Sequence, residues 1–368
     1  MKIIHHNDND GYCSAAIINA FLTDMYNNPS ENDFYVYSYN MDFEQPEVRE
    51  NETVYIVDIA LDEKIFAFIS YCVSVGARVI HIDHHKATID FINSKDVGEI
   101  MKQITSFYEI GVSASLMTYA YSCMNNDERK NAMDVDWSDS DIGDKLIING
   151  RTYSIPLSIR YVNDYDVWNW KFGKDTSYFQ LGLFMTPYNS KPYTKEWMDL
   201  VTNDSVVIDI MNDGEVAYRY RERLYGISIR KGFIASFNNK NSWCVVNSDF
   251  CDSQLYGEYA EQFSVCCAVQ YYGDKWVYHI RSSEQSDVDC NEIAKSFGGG
   301  GHMHAAGFSD DGTVFKQLLE SKIKTMHDFI HEYEEAKREL EEEVERLAEE
   351  KQREKERLMR EKFLKGIE

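Results

Sequence analysis

Four short stretches place acidic and imidazole side chains where apolar runs end. "IIHHNDNDG" carries His6, Asp8 and Asp10, "VYIVDIALD" carries Asp58, "VIHIDHHK" carries Asp83, His84 and His85, and "RYVNDYDVW" carries Asp164 and Asp166. In an extended segment, residues two apart share a face, so His6, Asp8 and Asp10 are expected to project together at the carboxyl end of a first strand. That end is where open α/β sheets bind ligands, and Gly11 allows a sharp turn into the next helix. Two carboxylates and an imidazole crowd together cheaply only around a cation. Mixed oxygen and nitrogen donors suit Mn²⁺, Mg²⁺, Fe²⁺ or Zn²⁺, with Mn²⁺ the first choice. One such stretch is ordinary, because Asn, Asp and Gly are turn residues. It is the repetition at four places that points to metal chemistry.

Alternating elements are needed to bring these stretches together. "KIIHH", "FYVYSY" (34–39), "TVYIVDI" (53–59) and "ARVIHI" (77–82) read as strands. "YCSAAIINAFL", "DEKIFAFISYCVSVG" and "GVSASLMTYAYSCM" have helical spacing between or after them. Strands alternating with helices predict βαβ units and a parallel sheet. Residues 125–156 form an acidic excursion whose Asn149-Gly150 pair signals a hairpin. The expected fold class is α/β. A parallel-sheet domain spans 1–195, a connecting helix 196–230, a smaller, mostly β domain 231–325, and a charged helical tail 326–368. The tail is rich in Glu, Lys and Arg, with Leu340, Val344 and Leu347 near a 3–4 spacing. It reads as a solvated helix held by i,i+4 ion pairs, or as the seam of a homodimer.

The formal net charge of −24 and pI of about 4.8 disfavour a partner of long nucleic acid, which needs a basic footprint. No apolar run reaches the roughly 18 residues of a membrane span. The N-terminus lacks a signal peptide's apolar region, so a cytoplasmic location is expected. Eight cysteines without a CxxC pair read as reduced core residues rather than a disulfide framework.

With these motifs in series, the sequence resembles the DHH phosphoesterases, a family that includes RecJ-like exonucleases and the oligoribonucleases called nanoRNases. "SFGGGGHMHAAGF" (296–308) is similar to the glycine-rich GGGH motif of the DHH-associated domain, and "YHIRSS" (278–283) to its arginine-bearing strand. The resemblance covers about residues 1–310. It implies that His6 and Asp8 hold one metal, that Asp10 and His84 hold a second, and that Asp58 bridges them. It implies that Asp83 orients His84, that His85 lies near the phosphate, and that Asp166 completes the set, with Asp164 as the fallback. Only Asn7 separates His6 from Asp8, a shorter gap than in many members, so His5 stays open as the ligand. Trp168 stands where many small-substrate members have Thr-Gly.

The implied activity is metal-dependent phosphodiester hydrolysis of short RNA or DNA oligonucleotides, linear or cyclic dinucleotides, or pAp. Two ions roughly 3.5–4 Å apart would activate a water and relieve charge on the phosphoryl oxygens. Gly298, Gly299, Gly300 and Gly301 would offer N–H groups to a phosphate, and Arg281 and His302 would add donors. The site would lie between the two domains and close over substrate. A RecJ-like single-strand exonuclease and a non-catalytic nucleotide-binding or assembly protein are the alternatives.

Overall fold

The computed structural model describes residues 1–23, 29–30, 33–39, 43–125, 127–129, 135–137, 144–187, 191–237, 241–248, 254–283 and 285–365. Parts of the 125–156 excursion, Cys251 and the last three residues of the tail lie outside the described residues. The chain divides into two compact units, Met1–Arg219 and Tyr220–Glu368.

The first unit opens with β1 (Lys2–His6), α1 (Asn9–Phe21), β2 (Phe34–Tyr37), β3 (Thr53–Val57), α2 (Glu63–Ser74) and β4 (Arg78–Asp83). Next come α3 (Lys86–Ser94), α4 (Gly98–Met101), β5 (Thr105–Tyr108) and α5 (Ala114–Cys123). The five strands form one parallel sheet in the order β2-β1-β3-β4-β5. Alternate residues feed two cores, as the pleat requires. Ile3, Val57, Ile80 and Ile82 pack with Cys13, Ile17, Leu116 and Met117. Ile4, Val54, Ile56 and Val79 pack on the other face with Ile65, Phe68, Ile69 and Cys72. The edge strand β5 was not expected from sequence, since "TSFY" begins with two hydroxyl residues and lacks a continuous apolar run.

The excursion contributes β6 (Val135–Asp136), β7 (Lys145–Ile148) and β8 (Arg151–Ser154), a separate antiparallel sheet. Asn149 and Gly150 turn the β7–β8 hairpin with φ of 49° and 72°, the left-handed pair that a two-residue turn needs. Leu146 and Ile148 are fully buried in the core shared with α1 and α5. α6 (Leu157–Asp166), α7 (Lys174–Met185) and α8 (Lys195–Thr202) complete that layer, and α9 (Asp204–Arg230) follows. Residues 196–230 are therefore two helices, not the single connector expected. Asn203 is extended at φ −138° and its side chain accepts from Ser205 N at 3.1 Å, which ends one helix and starts the next. Trp197, Leu200 and Val201 anchor α8 in the first unit's core.

The second unit contains β9 (Phe233–Phe237), β10 (Asn241–Asn247), β11 (Val265–Tyr271), β12 (Trp276–Arg281), α10 (Cys290–Ser296), β13 (Gly300–His302) and β14 (Ala305–Asp310). α11 (Thr313–Glu320), β15 (Lys322–Thr325) and α12 (Met326–Lys365) complete it. Its seven strands run β13-β14-β12-β11-β10-β9-β15, antiparallel except for the β10–β11 pair. α12 starts in the core at Met326 and Ile330. Beyond that, Leu340, Val344 and Leu347 are exposed, and Arg346, Arg353 and Arg357 pair with glutamates one turn away. The seven cysteines described are free. Among the described residues, no helix is long and apolar enough to cross a membrane.

Candidate metal centre

β1 delivers His6, and the chain then turns at Asp8, whose extended backbone (φ −145°, ψ −177°) caps α1 and whose Oδ1 accepts from Gly11 N at 2.9 Å. A Cβ on Gly11 would stand 2.4 Å from His6 O, so this turn admits glycine alone. His6 Nδ1 lies 2.6 Å from Asp8 Oδ2. Asp58 follows β3 with φ 58°, a left-handed backbone that a non-glycine residue adopts only when its surroundings hold it. Its N–H donates to Ile82 O at 3.0 Å. Its Oδ2 comes 3.7 Å from His6 Nδ1. His6, Asp8 and Asp58 thus offer three ligand atoms within 4.8 Å of one another.

His84, just past β4, reaches the same place from the other side. Its Nε2 is 3.4 Å from Asp58 Oδ1 and 3.4 Å from Asp166 Oδ2 at the end of α6. Asp10, His84 and Asp166 form a second group of ligand atoms within 4.8 Å, and Asp58, His84 and His85 a third. Asp58 consequently touches both sides of the cluster. Asp10 arrives differently from the sequence expectation. The strand ends at His6, so Asp10 sits in the first turn of α1, not on an extended face with His6 and Asp8. Its Oδ2 and Oδ1 accept the N–H groups of Ala114 (2.7 Å) and Ser115 (3.0 Å) at the start of α5.

The charges are frustrated. Burial, then the neighbouring Asp10 and Asp8, push the Asp58 carboxyl well above the usual range. Burial and Asp10 do the same to Asp166, and burial raises Asp10. Burial opposes a charged His6, but the carboxylates of Asp58 and Asp8 overcome it and push the ring up to about 10. Asp58 Oδ2 and Asp166 Oδ2 are buried and accept no hydrogen bond. Orphaned carboxylate oxygens beside imidazole nitrogens are a donor set that fits hard or borderline divalent cations.

Asp83 departs from its expected role. Its Oδ1 lies 2.7 Å from Nδ1 of His85, and its Oδ2 accepts from His85 N at 3.3 Å and from the Thr88 hydroxyl. It therefore orients His85 and not His84, because the strand pleat aims consecutive side chains apart and the chain turns into α3 at His85. Burial works against ionised Asp83, but His85 and Thr88 hold it below the ordinary carboxylate range. His5 is fully buried, bonded through Nδ1 to His6 O at 2.9 Å and packed on Tyr12, and burial pushes it down to about 4. It joins none of the ligand groups. Asp164 is also buried, accepting from Lys171 N (2.7 Å), Phe172 N and the Thr176 hydroxyl. It braces the loop after α6 and stands outside the groups, whereas Asp166 is within one.

Residues not singled out from sequence support the cluster. Tyr39 packs on the His6 ring at 5.4 Å and accepts from Ala60 N at 2.7 Å. Ser113 caps α5 and thereby presents the N–H groups that hold Asp10. The N-cap position of Ser113 was readable, but the contact of the next two N–H groups with Asp10, more than 100 residues away, was not.

In the second unit, Arg281 and His302 both pair with Ala305, on opposite sides of β14. Residues opposed in adjacent strands share a face, so Arg281, Ala305 and His302 form a row with a small residue at its middle. Three of the four glycine N–H groups expected to meet a phosphate are engaged within the unit. Gly298 N, Gly299 N and Gly301 N already donate to Lys295 O (3.0 Å), Ala294 O (2.9 Å) and Asn291 Oδ1 (3.2 Å). A Cβ on Gly299 would stand 2.1 Å from Gly307 O, and one on Gly301 2.5 Å from Ala306 Cα. Glycine is required here for the close approach of β13 to β14.

Residues 1–140 match the N-terminal domain of the DHH family. An uncharacterized protein of Acanthamoeba polyphaga mimivirus is 25% identical over 166 residues, which cover 43% of this chain and 38% of that protein. The chain thus spans well under half the length of that curated relative. Among solved structures, the DHH domain of a member of a ribosomal protein family gives a TM-score of 0.49 at 16% identity, covering 87% of this chain and 85% of the other. The pGpG-specific phosphodiesterase PggH of Vibrio cholerae gives 0.46 at 13% identity, covering 87% and 99%. An exopolyphosphatase-related protein of Bacteroides fragilis gives 0.43 at 17%, covering 87% and 92%.

Proposed function

Residues 1–140 are a DHH-family N-terminal domain, and from that premise we propose that the chain is a divalent-metal-dependent phosphodiesterase acting on short oligonucleotides or small nucleotides. One observation carries the reading: buried Asp58 lies between two ligand groups, His6 and Asp8 on one side, Asp10, His84 and Asp166 on the other. Divalent ions held there, Mn²⁺ first, would supply charge neutralisation at the phosphoryl oxygens and acidify a water.

The protein's own groups do the rest. Asp58 sets the spacing of the two sides from a backbone locked at φ 58°. Asp83 accepts a hydrogen bond from the Nδ1–H of His85, which fixes that tautomer and leaves Nε2 to meet the phosphate or the departing oxygen. In the second unit, Arg281 and His302 on either side of Ala305 are donors of the kind a phosphate takes. The net charge of −24 favours substrates short enough to be held by ions and a few donors over long strands that need a basic track.

The test is a panel of short RNA and DNA oligomers, cyclic dinucleotides, pAp and pyrophosphate with Mn²⁺, read by product analysis. Manganese bound per chain is counted by equilibrium dialysis. Two ions and cleavage of the short phosphodiesters are expected. No metal uptake and no cleavage would overturn the reading.

A further inference from the structure

The residues around Asp166 build a feature that metal binding leaves unexplained. Tyr165, Trp168 and Trp170 form a closed set of ring contacts: Tyr165–Trp168 at 5.6 Å, Tyr165–Trp170 at 5.6 Å and Trp168–Trp170 at 4.9 Å, all edge-to-face. Yet Trp168 is 43% exposed and Tyr165 37%. Edge-to-face packing sets the edge of one ring on the face of the other, and the exposure of Trp168 leaves ring surface for something else.

The arrangement is built into the backbone. Trp168 and Trp170 both have left-handed φ, 58° and 55°, which bulky residues adopt only where the fold holds them there. What holds them is Asp164. Its carbonyl accepts from Asn169 N at 3.0 Å, and its carboxylate accepts from Lys171 N at 2.7 Å and from the Thr176 hydroxyl. A buried carboxylate thus fixes a tryptophan loop whose exposed ring stands two residues from a metal-ligand candidate.

On the reading of the centre as a nucleotide phosphoesterase, we propose that Trp168, braced by Tyr165 and Trp170, is the stacking platform for a base of the substrate whose phosphate lies at Asp166. Two observations and one property of nucleobases select that occupant. A nucleotide's base and phosphate are one sugar apart, and Trp168 follows two residues after Asp166, the last residue of α6. Every nucleobase has a π face, so stacking is tolerant of sequence. Stacking also supplies affinity without cationic side chains, which suits a chain of net charge −24. Trp168 acts by binding and positioning; it takes no part in bond cleavage.

Two measurements on the Mg²⁺- or Mn²⁺-loaded full chain test this. The first compares kcat/KM for an RNA dinucleotide and for the same dinucleotide abasic at one sugar. Wild type should favour the base-bearing substrate by on the order of tenfold or more. Trp168→Ala should lose most of that ratio, chiefly through KM, and Trp168→Phe should recover it. An equal fall on both substrates, or an unchanged ratio, would overturn the proposal. The second is independent of turnover, so it decides even if the chain hydrolyses neither substrate. GMP should quench the tryptophan fluorescence of the Mg²⁺-loaded wild type while ribose 5-phosphate does not, and Trp168→Phe should remove most of the quenching. Equal quenching by both ligands, or wild-type quenching in Trp168→Phe, would refute the platform, the latter marking the exposed ring as an incidental apolar contact.

Discussion

Asp83 holds His85: their Oδ1 and Nδ1 atoms lie 2.7 Å apart, with Asp83 buried and His85 partly open to solvent. A buried carboxylate that fixes an imidazole tautomer governs proton handling without binding metal itself. Asp83→Asn should therefore lower kcat by on the order of tenfold to a hundredfold, and manganese bound per chain should stay at the wild-type level. Steady-state kinetics with metal analysis check this. Loss of metal in step with activity would instead place Asp83 among the ligands' supports.

Asp164 and Asp166 are two residues apart in the sequence but differ in what removal would do. Asp164 is itself buried and accepts three hydrogen bonds, and Asp164→Ala leaves their donors unsatisfied. That should cost about 2–3 kcal/mol of stability in urea unfolding. Asp166 accepts no hydrogen bond at Oδ2 and sits among like charges. Asp166→Asn should raise metal-free stability at neutral pH while weakening manganese binding. Equal destabilisation by the two variants would contradict the division of roles.

Without metal, the folded protein keeps protons that the unfolded chain releases. Asp58 and Asp166 have raised carboxyls, which oppose folding once the unfolded carboxylates have ionised, above about pH 4. His6, raised to about 10, contributes stability fully below about pH 6.5, and that contribution is lost as pH climbs toward 10. Asp8, held down to about 2 chiefly by His6 against burial, acts in the opposite sense, but only below about pH 4. His5 and His81, lowered by burial, oppose the fall up to about pH 6.5, but the three raised groups outweigh these two, so metal-free stability should fall from pH 5.5 to 8.0. Cations replace the retained protons, so the melting temperature gained on adding Mn²⁺ over EDTA should be larger at pH 8.0. Calorimetry at the two pH values checks it, and a smaller gain at pH 8.0 would contradict it.

Two glycines of the run, Gly299 and Gly301, let β13 and β14 approach in the second unit. Gly299→Ala would drive a Cβ to 2.1 Å from Gly307 O, so β13 and β14 must separate. Destabilisation of about 1–3 kcal/mol, as for an overpacked core, is expected from urea unfolding. Gly298→Ala meets no atom within 4 Å and bears only the strain of φ 79°, so it should cost less. The reverse order would mean that these N–H groups have some other role.

These contrasts show what the sequence made legible. The parallel sheet and the mostly β second unit were readable because runs such as "VYIVDI" and "SVCCAV" are apolar on both faces of a pleat. The stretches bearing His6, Asp58, His84 and Asp166 were readable because acids and imidazoles interrupt apolar runs. Asp10 was misplaced because alternation assumes that the strand continues, whereas Asp8 caps a helix and ends it. The partner of Asp83 depended on side-chain direction in the turn after β4, which spacing does not encode. Gly299 and Gly301 read as phosphate donors because the sequence does not show that their N–H groups bond to the preceding helix. Tyr39 and Ser113 carry residue types too common to stand out.

The most direct measurement is the Mn²⁺-dependent rate of cleavage of a labelled RNA dinucleotide by wild type and by Asp58→Ala. If Asp58 joins two ion sites, the variant should lose several kcal/mol of transition-state stabilisation, on the order of a thousandfold in kcat/KM, with its fold retained by circular dichroism. Wild-type turnover by Asp58→Ala at saturating manganese would contradict the shared-aspartate account.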